Sequence, residues 1–200
     1  MTDAWRPYVE QTAKMNPDPV VRGVFEAALS RGRGVQTAVD LGCGGGRHLA
    51  LFASHGVTAL GIDSCRACSH LAVPNILLGD LVRPLPFETG SVDFALMWGV
   101  FVHLPPDSHH DVFGELHRVL KPGGTLLVDI LRPDDFRNAL GTPMGPNYNR
   151  SPFIEGVTDL FCTEQYIEAI ASSFELLTKK NLSHPRRDGR VSQVGFWLER

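Results

Sequence analysis

Short, nearly continuous apolar runs alternate along this chain with stretches whose apolar residues recur every three or four positions. The first kind predicts buried strands, the second amphipathic helices. Val20, Val21, Val24, Phe25, Ala28 and Leu29 form a helical face behind Asp18 and Pro19, a cap and first-turn pair, and Gly32 and Gly34 end it. Strands are expected at 36–41, 57–62, 75–78, 92–98 and 125–130. Helices are expected at about 45–55 and 107–120, with a short helical piece at 64–72. Residues 1–17 and the loops at 81–90 and 99–106 show no period. This βαβ alternation implies an α/β fold, a mostly parallel sheet with helices on both faces. The rhythm breaks over 132–162, rich in Gly, Pro and Asn, and a long stretch of that kind is usually a lid or binding loop. Thr163 can cap a helix to about 172, and 174–179 and 191–198 read as the last two strands around a basic turn at 184–190.

The chain is organised around residues 39–49, V-D-L-G-C-G-G-G-R-H-L. A strand feeds a tight glycine turn that opens a helix. Glycine leaves room for a ligand and tolerates positive φ, and the free N–H groups of a helix start can receive a carboxylate or a phosphate. The dinucleotide fingerprint Gly-x-Gly-x-x-Gly fails, because counting from Gly42 and Gly44 puts Arg47 where close packing wants almost no side chain. The phosphate-loop pattern fails too, since no Gly-Lys-Ser/Thr follows. What fits is Asp-x-Gly-x-Gly-x-Gly over Asp40, Gly42, Gly44 and Gly46.

Further pieces follow that turn in order: G-I-D at 61–63, G-D at 79–80, P-F-E-T-G-S-V-D-F at 86–94 and H-R-V-L-K-P-G-G-T-L-L at 117–127. Through them the chain resembles the class I S-adenosylmethionine-dependent methyltransferases, of the small type 11 or tellurite/thiopurine methyltransferase-like kind. The similarity is strong over about 35–130 and looser beyond. The resemblance implies a Rossmann-like seven-stranded, mostly parallel sheet in the order 3-2-1-4-5-7-6, the last strand antiparallel. Residues 1–200 are read as one domain: an N-terminal segment and helix (1–34), a cofactor-binding core (35–131), a lid or acceptor loop (132–162), and a final helix with two strands (163–200).

The resemblance also implies S-adenosylmethionine as cofactor, held by Asp40, Gly42, Cys43, Gly44, Arg47, Asp63, Ser64, Asp80, Leu81, Trp98 and Gly99. Asp63 would accept both ribose hydroxyls, or else only cap 64–72. Asp80 would accept from the adenine amino group with the Leu81 N–H beside it, or else be a plain turn residue. Asp40 would orient the ammonium end, directly or through water, or brace the loop. Trp98 would pack on the methionine part or lie in the core. Only seventeen residues separate Asp63 from Asp80, a departure that shrinks the second helix and would open the adenine side to solvent.

Methyl transfer from a sulfonium is an in-line displacement in which alignment and desolvation lower much of the barrier. A hydroxyl acceptor usually needs a base, whereas a thiol or carboxylate need not. His103, in W-G-V-F-V-H-L past the fourth strand, is the candidate catalytic base, or it orders the loop backbone. His109 and His110 stand at a helix start and read as surface residues. Trp98-Gly99-Val100-Phe101 occupies the place where an Asn/Asp-Pro-Pro-Tyr tetrad would mark methylation of nucleic-acid bases, which points to a small-molecule acceptor. Trp5, Tyr8, Phe136, Tyr148, Phe153 and Phe161 could wall its pocket. Arg132, Arg137 and Arg150 could grip an anionic acceptor or be solvated loop charges.

Net charge of -3 and a pI near 6.2 argue against a nucleic-acid partner. No run approaches about eighteen apolar residues, so no membrane span is expected, and the first residues lack the pattern of a signal peptide. Four cysteines suggest reduced thiols in the cytoplasm. Cys65-x-x-Cys68-x-His70 has metal-ligand spacing with Cys162 as a distant fourth, but the plainer reading is a short helix with buried thiols and no metal. Cys43 suits the turn by its small size. The expectation is therefore an enzyme, monomeric or homodimeric. The alternative is a cofactor-binding sensor or complex partner without catalysis, which an exposed apolar patch would favour over an ordered lid.

Overall fold

The computed structural model describes residues 3–31, 34–71, 74–186 and 189–200. The chain begins with α1 (Arg6–Thr12) and α2 (Pro19–Leu29), then β1 (Thr37–Leu41), α3 (Arg47–Ser54), β2 (Thr58–Asp63), β3 (Ile76–Leu78), β4 (Val92–Met97), α4 (His109–Val119) and β5 (Leu120–Leu131). It continues with α5 (Phe136–Leu140), β6 (Thr142–Gly145), β7 (Tyr148–Arg150), β8 (Thr158–Leu160), α6 (Glu164–Ile170), β9 (Glu175–Asn181), β10 (His184–Arg186), β11 (Gly189–Val191) and β12 (Gln193–Glu199). The main sheet has seven strands in the order β3-β2-β1-β4-β5-β12-β9, and β12 runs antiparallel to both its neighbours. This is the expected order, and the seventh main-sheet strand is the antiparallel one.

The continuous apolar runs are explained by cover on both faces. Along β4, Phe94 and Leu96 point to the layer of α2 and α3, while Ala95 and Met97 point to the layer that holds Phe113, Leu116 and Phe161. Phe25, Phe52 and Phe94 meet with ring centroids 4.5, 5.4 and 5.7 Å apart and fix α2 and α3 against the sheet. Asp18 caps α2 as expected, accepting from the Val20 N–H at 2.8 Å with Pro19 in the first turn. Asp18→Ala is expected to cost about 1 kcal/mol of stability, read from the urea-denaturation midpoint.

Several sequence expectations are corrected. Residues 1–17 are not wholly irregular: α1 forms, but with only Val9 and Thr12 buried it is too short to show a period. The stretch 132–162 is not a bare loop but carries α5 and the antiparallel sheet β6-β7-β8, tied to the core by a parallel bridge from Leu131 to Phe161. Its strands of three and four residues fall below the length at which alternation is legible. The stretch read as a basic turn carries the antiparallel pair β10–β11, and its residues 187 and 188 lie outside the described residues. β5 also begins earlier than expected, directly after α4. Its Pro122–Gly124 segment lies between the pairs Val92↔Leu120 and Phe94↔Thr125, where the register shifts. The short helical piece after β2 is a 3-10 turn over Arg66–His70. Gly32 and Ala72, read as helix ends, lie outside the described residues.

Candidate functional site

The strand order reverses between β1 and β4, which leave β1 flanked by β2 and β4, and a crevice opens there beyond the carboxyl ends of the strands. The glycine turn fills its floor. Gly42 and Cys43 both donate to the Ile62 carbonyl, at 2.7 and 3.1 Å, which pins the turn to β2. A Cβ on Gly42, at φ +75°, would lie 2.4 Å from Val100 Cγ2. A Cβ on Gly45 would lie 2.1 Å from the backbone nitrogen of Ala13. Glycine is therefore demanded by α1 as well as by the turn itself, because the C-terminal end of α1 sits on it. The Gly45 N–H donates to Thr12 Oγ1 at 3.0 Å.

Acidic side chains surround the turn. Asp40 is buried at the end of β1, and its Oδ2 has no hydrogen-bond partner among the described residues. His48 Nδ1 stands 3.6 Å from that oxygen, while His48 Nε2 accepts from the Asp18 N–H at 3.3 Å. Asp63 ends β2, accepting from the Gly44 N–H through Oδ2 and from the Cys65 N–H through Oδ1, both at 2.8 Å. Burial raises its carboxyl above the ordinary value; the two N–H bonds oppose this and nearby Asp40 adds to it. Asp80 is exposed beyond β3 and accepts from the Val82 N–H at 3.2 Å.

Six of the expected cofactor residues, Gly42, Asp63, Ser64, Asp80, Leu81 and Gly99, line one cleft, together with Trp5, Tyr8, Val9, Val100, His103 and Leu104. Asp40, Cys43 and Gly44 are buried. The Cys43 thiol packs under Gly61, and burial raises its pKa, as do the nearby carboxylates of Asp40 and Asp63. Arg47 and Trp98 line instead a second cleft of about 310 Å³, which shares Trp5, Tyr8, Gly99 and His103 with the first.

His103 stands where the two clefts meet. It ends the 3-10 turn Phe101–His103, and its Nδ1 lies 3.1 Å from both Asp159 Oδ1 and the Thr158 carbonyl. Trp5 presents its ring to the imidazole at 4.6 Å between centroids, 60° from parallel. The second cleft also contains Asp129, whose Oδ1 accepts from the Gly99 N–H at 2.5 Å and whose Oδ2 accepts from the Gln193 side-chain amide. Sequence reasoning missed Asp129, Asp159 and Gln193. The one signal available was an acid inside the otherwise apolar run T-L-L-V-D-I-L.

The other candidates divide plainly. Trp5, Tyr8 and Phe153 line the second cleft, Phe136 packs on Phe153, the Tyr148 hydroxyl bonds Thr158 Oγ1 at 2.7 Å, and Phe161 is core. Arg132 is paired with Glu164 and Arg137 with Asp135, at 2.6 and 2.7 Å, while Arg150 is exposed on the 132–162 segment. Cys65 and Cys68 pack with Val9 and Ala67, and burial beside Asp63 pushes the Cys68 thiol up to about 12, away from the thiolate a metal would take. Among the described residues no group of three or more His, Cys, Asp or Glu could hold a metal ion.

His109 is not a surface residue. It is fully buried, with Nε2 3.1 Å from the Leu104 carbonyl and Nδ1 2.8 Å from the Tyr166 hydroxyl. Burial lowers its pKa. The folded state then binds fewer protons than the unfolded chain. Its stabilising contribution is full above the unfolded pKa of about 6.5 and is lost as pH falls through that value towards the folded one. The stability gap between the wild type and His109→Gln is expected to narrow from about pH 7.5 to about 5.5 in denaturation midpoints.

A further cavity of about 450 Å³ lies at the opposite end of the sheet, lined by Arg31, Asp93, Lys121 and Glu199 among others. Its charges are already matched, Lys121 to Asp93 at 2.8 Å and Arg31 to Glu199, and open α/β sheets bind ligands at the other end.

An open, mostly parallel sheet with a glycine turn at its reversal point and carboxylates ending the first three strands defines the class I S-adenosylmethionine-dependent methyltransferase fold. Within that fold class, residues 39–128 match the family described as a methyltransferase domain. An uncharacterized methyltransferase of Synechocystis sp. is 32% identical over 106 residues, covering 50% of this chain and 50% of that protein. The chain spans about half the length of the curated relatives it matches. A solved S-adenosylmethionine-dependent methyltransferase from Methanosarcina mazei has a TM-score of 0.72 at 18% identity, over 93% of this chain and 99% of that one. The Burkholderia thailandensis 1,6-didemethyltoxoflavin-N1-methyltransferase, solved with S-adenosylhomocysteine, has a TM-score of 0.66 at 16% identity, over 91% and 77%. No helix among the described residues is long and apolar enough to cross a membrane.

Proposed function

We propose that this protein transfers the methyl group of S-adenosylmethionine to a small-molecule acceptor, with His103 as the base. The observation that carries this reading is the position of His103 on the border of both clefts, with Nδ1 3.1 Å from the Asp159 carboxylate. When bound, the cofactor supplies an electrophilic methyl group on a cationic sulfur. The residues fit it. The unpartnered, buried Asp40 Oδ2 suits the neighbourhood of an ammonium group. Asp63, which accepts from the Gly44 and Cys65 N–H groups and from the Cys68 thiol, retains acceptor capacity for a ribose hydroxyl, and the exposed Asp80 can accept from the adenine amino group. Gly42 lines the cleft with backbone alone, and a Cβ there would collide with Val100.

A neutral His103 that carries its proton on Nδ1, towards Asp159, leaves Nε2 as an acceptor for the proton of the nucleophile. Trp5 and the β6-β7-β8 segment exclude water from that transfer, because Trp5 covers the imidazole and β8 supplies Asp159. A second cleft of about 310 Å³ suits a small acceptor. A cofactor-binding sensor has no use for a carboxylate–imidazole pair at such a border, which favours the enzyme. Calorimetric titration with S-adenosylhomocysteine should show roughly micromolar binding, about -8 kcal/mol. No heat, and no competition from S-adenosylmethionine, would sink the reading.

A further inference from the structure

The second cleft is lined by Arg47 and Arg137 and by Asp18, Asp129 and Asp159, and of these charges the last two are the deeply buried ones. Asp129 is 1% exposed and Asp159 3%, and both line it beside His103 and Gln193. Neither is paired with a Lys or Arg among the described residues. Asp129 is held only by neutral donors, the Gly99 N–H and the Gln193 amide. Asp159 meets His103 through Oδ1, and its Oδ2, sealed from solvent, has no hydrogen-bond partner among the described residues. Arg137, on the cleft wall, is already bonded to Asp135 through Nε and Nη2 at 2.7 and 2.9 Å. Buried carboxylates without a cation are unfavourable, and they are relieved by whatever brings one. Burial accordingly raises the Asp129 carboxyl above its ordinary value, with the Gly99 and Gln193 bonds opposing.

We infer that the acceptor is an amine which enters as its ammonium ion, received by the Asp129 carboxylate with the buried charge of Asp159 beside it, so that Asp129 determines specificity. This rests on the methyltransferase reading of the site. An anionic acceptor would be repelled by both carboxylates. An alcohol would gain hydrogen bonds but no charge pairing. The same arrangement serves the reaction. One ammonium proton passes to His103 Nε2, and the freed lone pair forms the N–C bond as the C–S bond breaks, leaving its electron pair on sulfur. The positive charge ends on the methylated nitrogen, beside carboxylates fixed in advance for it. Transfer to a hydroxyl ends in a neutral ether with its proton on His103, which would compensate Asp159 but leave Asp129 without a cation of its own.

Nitrogen-15-labelled protein saturated with S-adenosylhomocysteine would be titrated with benzylamine, benzyl alcohol and benzoate. The Gly99 backbone amide and the Gln193 side-chain amide are followed by NMR, since both donate to Asp129. Benzylamine is expected to shift both signals and to bind at least about tenfold tighter than the other two. Asp129→Asn should remove that preference while S-adenosylhomocysteine affinity stays within about twofold. Equal or tighter binding of the alcohol or benzoate, no binding of any of the three, or an unchanged amine preference in the variant overturns the inference alone. Should the variant fail to fold, the wild-type ranking decides. A wild-type protein that binds no S-adenosylhomocysteine overturns the methyltransferase reading and this inference with it.

Discussion

Replacing His103 by alanine is expected to lower turnover by about 10²- to 10⁴-fold, the range of a lost general base, while S-adenosylhomocysteine affinity stays within about twofold. The asymmetry follows from geometry. The imidazole is oriented from behind by Asp159 and the Thr158 carbonyl, both 3.1 Å from Nδ1, and it touches the cofactor cleft only along its border with the second. Tritium transfer from labelled S-adenosylmethionine to the best acceptor measures the first quantity and calorimetry the second. Asp159→Asn should give a smaller loss of the same kind, because the amide can still accept from the imidazole but no longer favours its protonated form. Parallel losses of turnover and cofactor affinity would mean that His103 is only part of the cleft wall with Trp5.

Asp63→Ala is expected to weaken S-adenosylhomocysteine binding by about 100-fold, near 2.7 kcal/mol. Two effects combine. The carboxylate would no longer be there to accept from ribose hydroxyls, and hydrogen bonds to a charged group are each worth about 1.5–3 kcal/mol. The Gly44 and Cys65 N–H groups would also lose their acceptors, leaving the glycine turn held to β2 by the two bonds to the Ile62 carbonyl. Asp63→Asn keeps one accepting oxygen and should fall between the two. Because burial raises the Asp63 carboxyl above its ordinary value, acidification should begin to weaken binding at a higher pH than for an exposed aspartate. Calorimetry at several pH values checks the direction; unchanged affinity in Asp63→Ala would remove Asp63 from the cofactor site.

By itself the sequence determined the α/β architecture, the glycine turn, and the placement of Asp40, Asp63 and Asp80 at the ends of consecutive strands. These are local signals: a run of apolar residues, the turn that ends it and the acid at its edge are neighbours in the chain, so one short window holds the cause and its effect. Tertiary structure alone decided the second cleft. Gly99 and Asp129 are 30 positions apart, and Asp129 and Gln193 are 64 apart. Asp159 reaches His103 only because the three-residue strand β8 folds back beside the 3-10 turn that carries it. It also decided that α1 would cover the glycine turn through Thr12, and that His109 would be buried rather than solvated. No window of the sequence contains such pairs. Each partner lies on a different element, and an isolated acid or histidine has the same local pattern whether it meets water, a backbone carbonyl or a second side chain. What separates those fates is how the elements pack, and that is settled by the whole core at once.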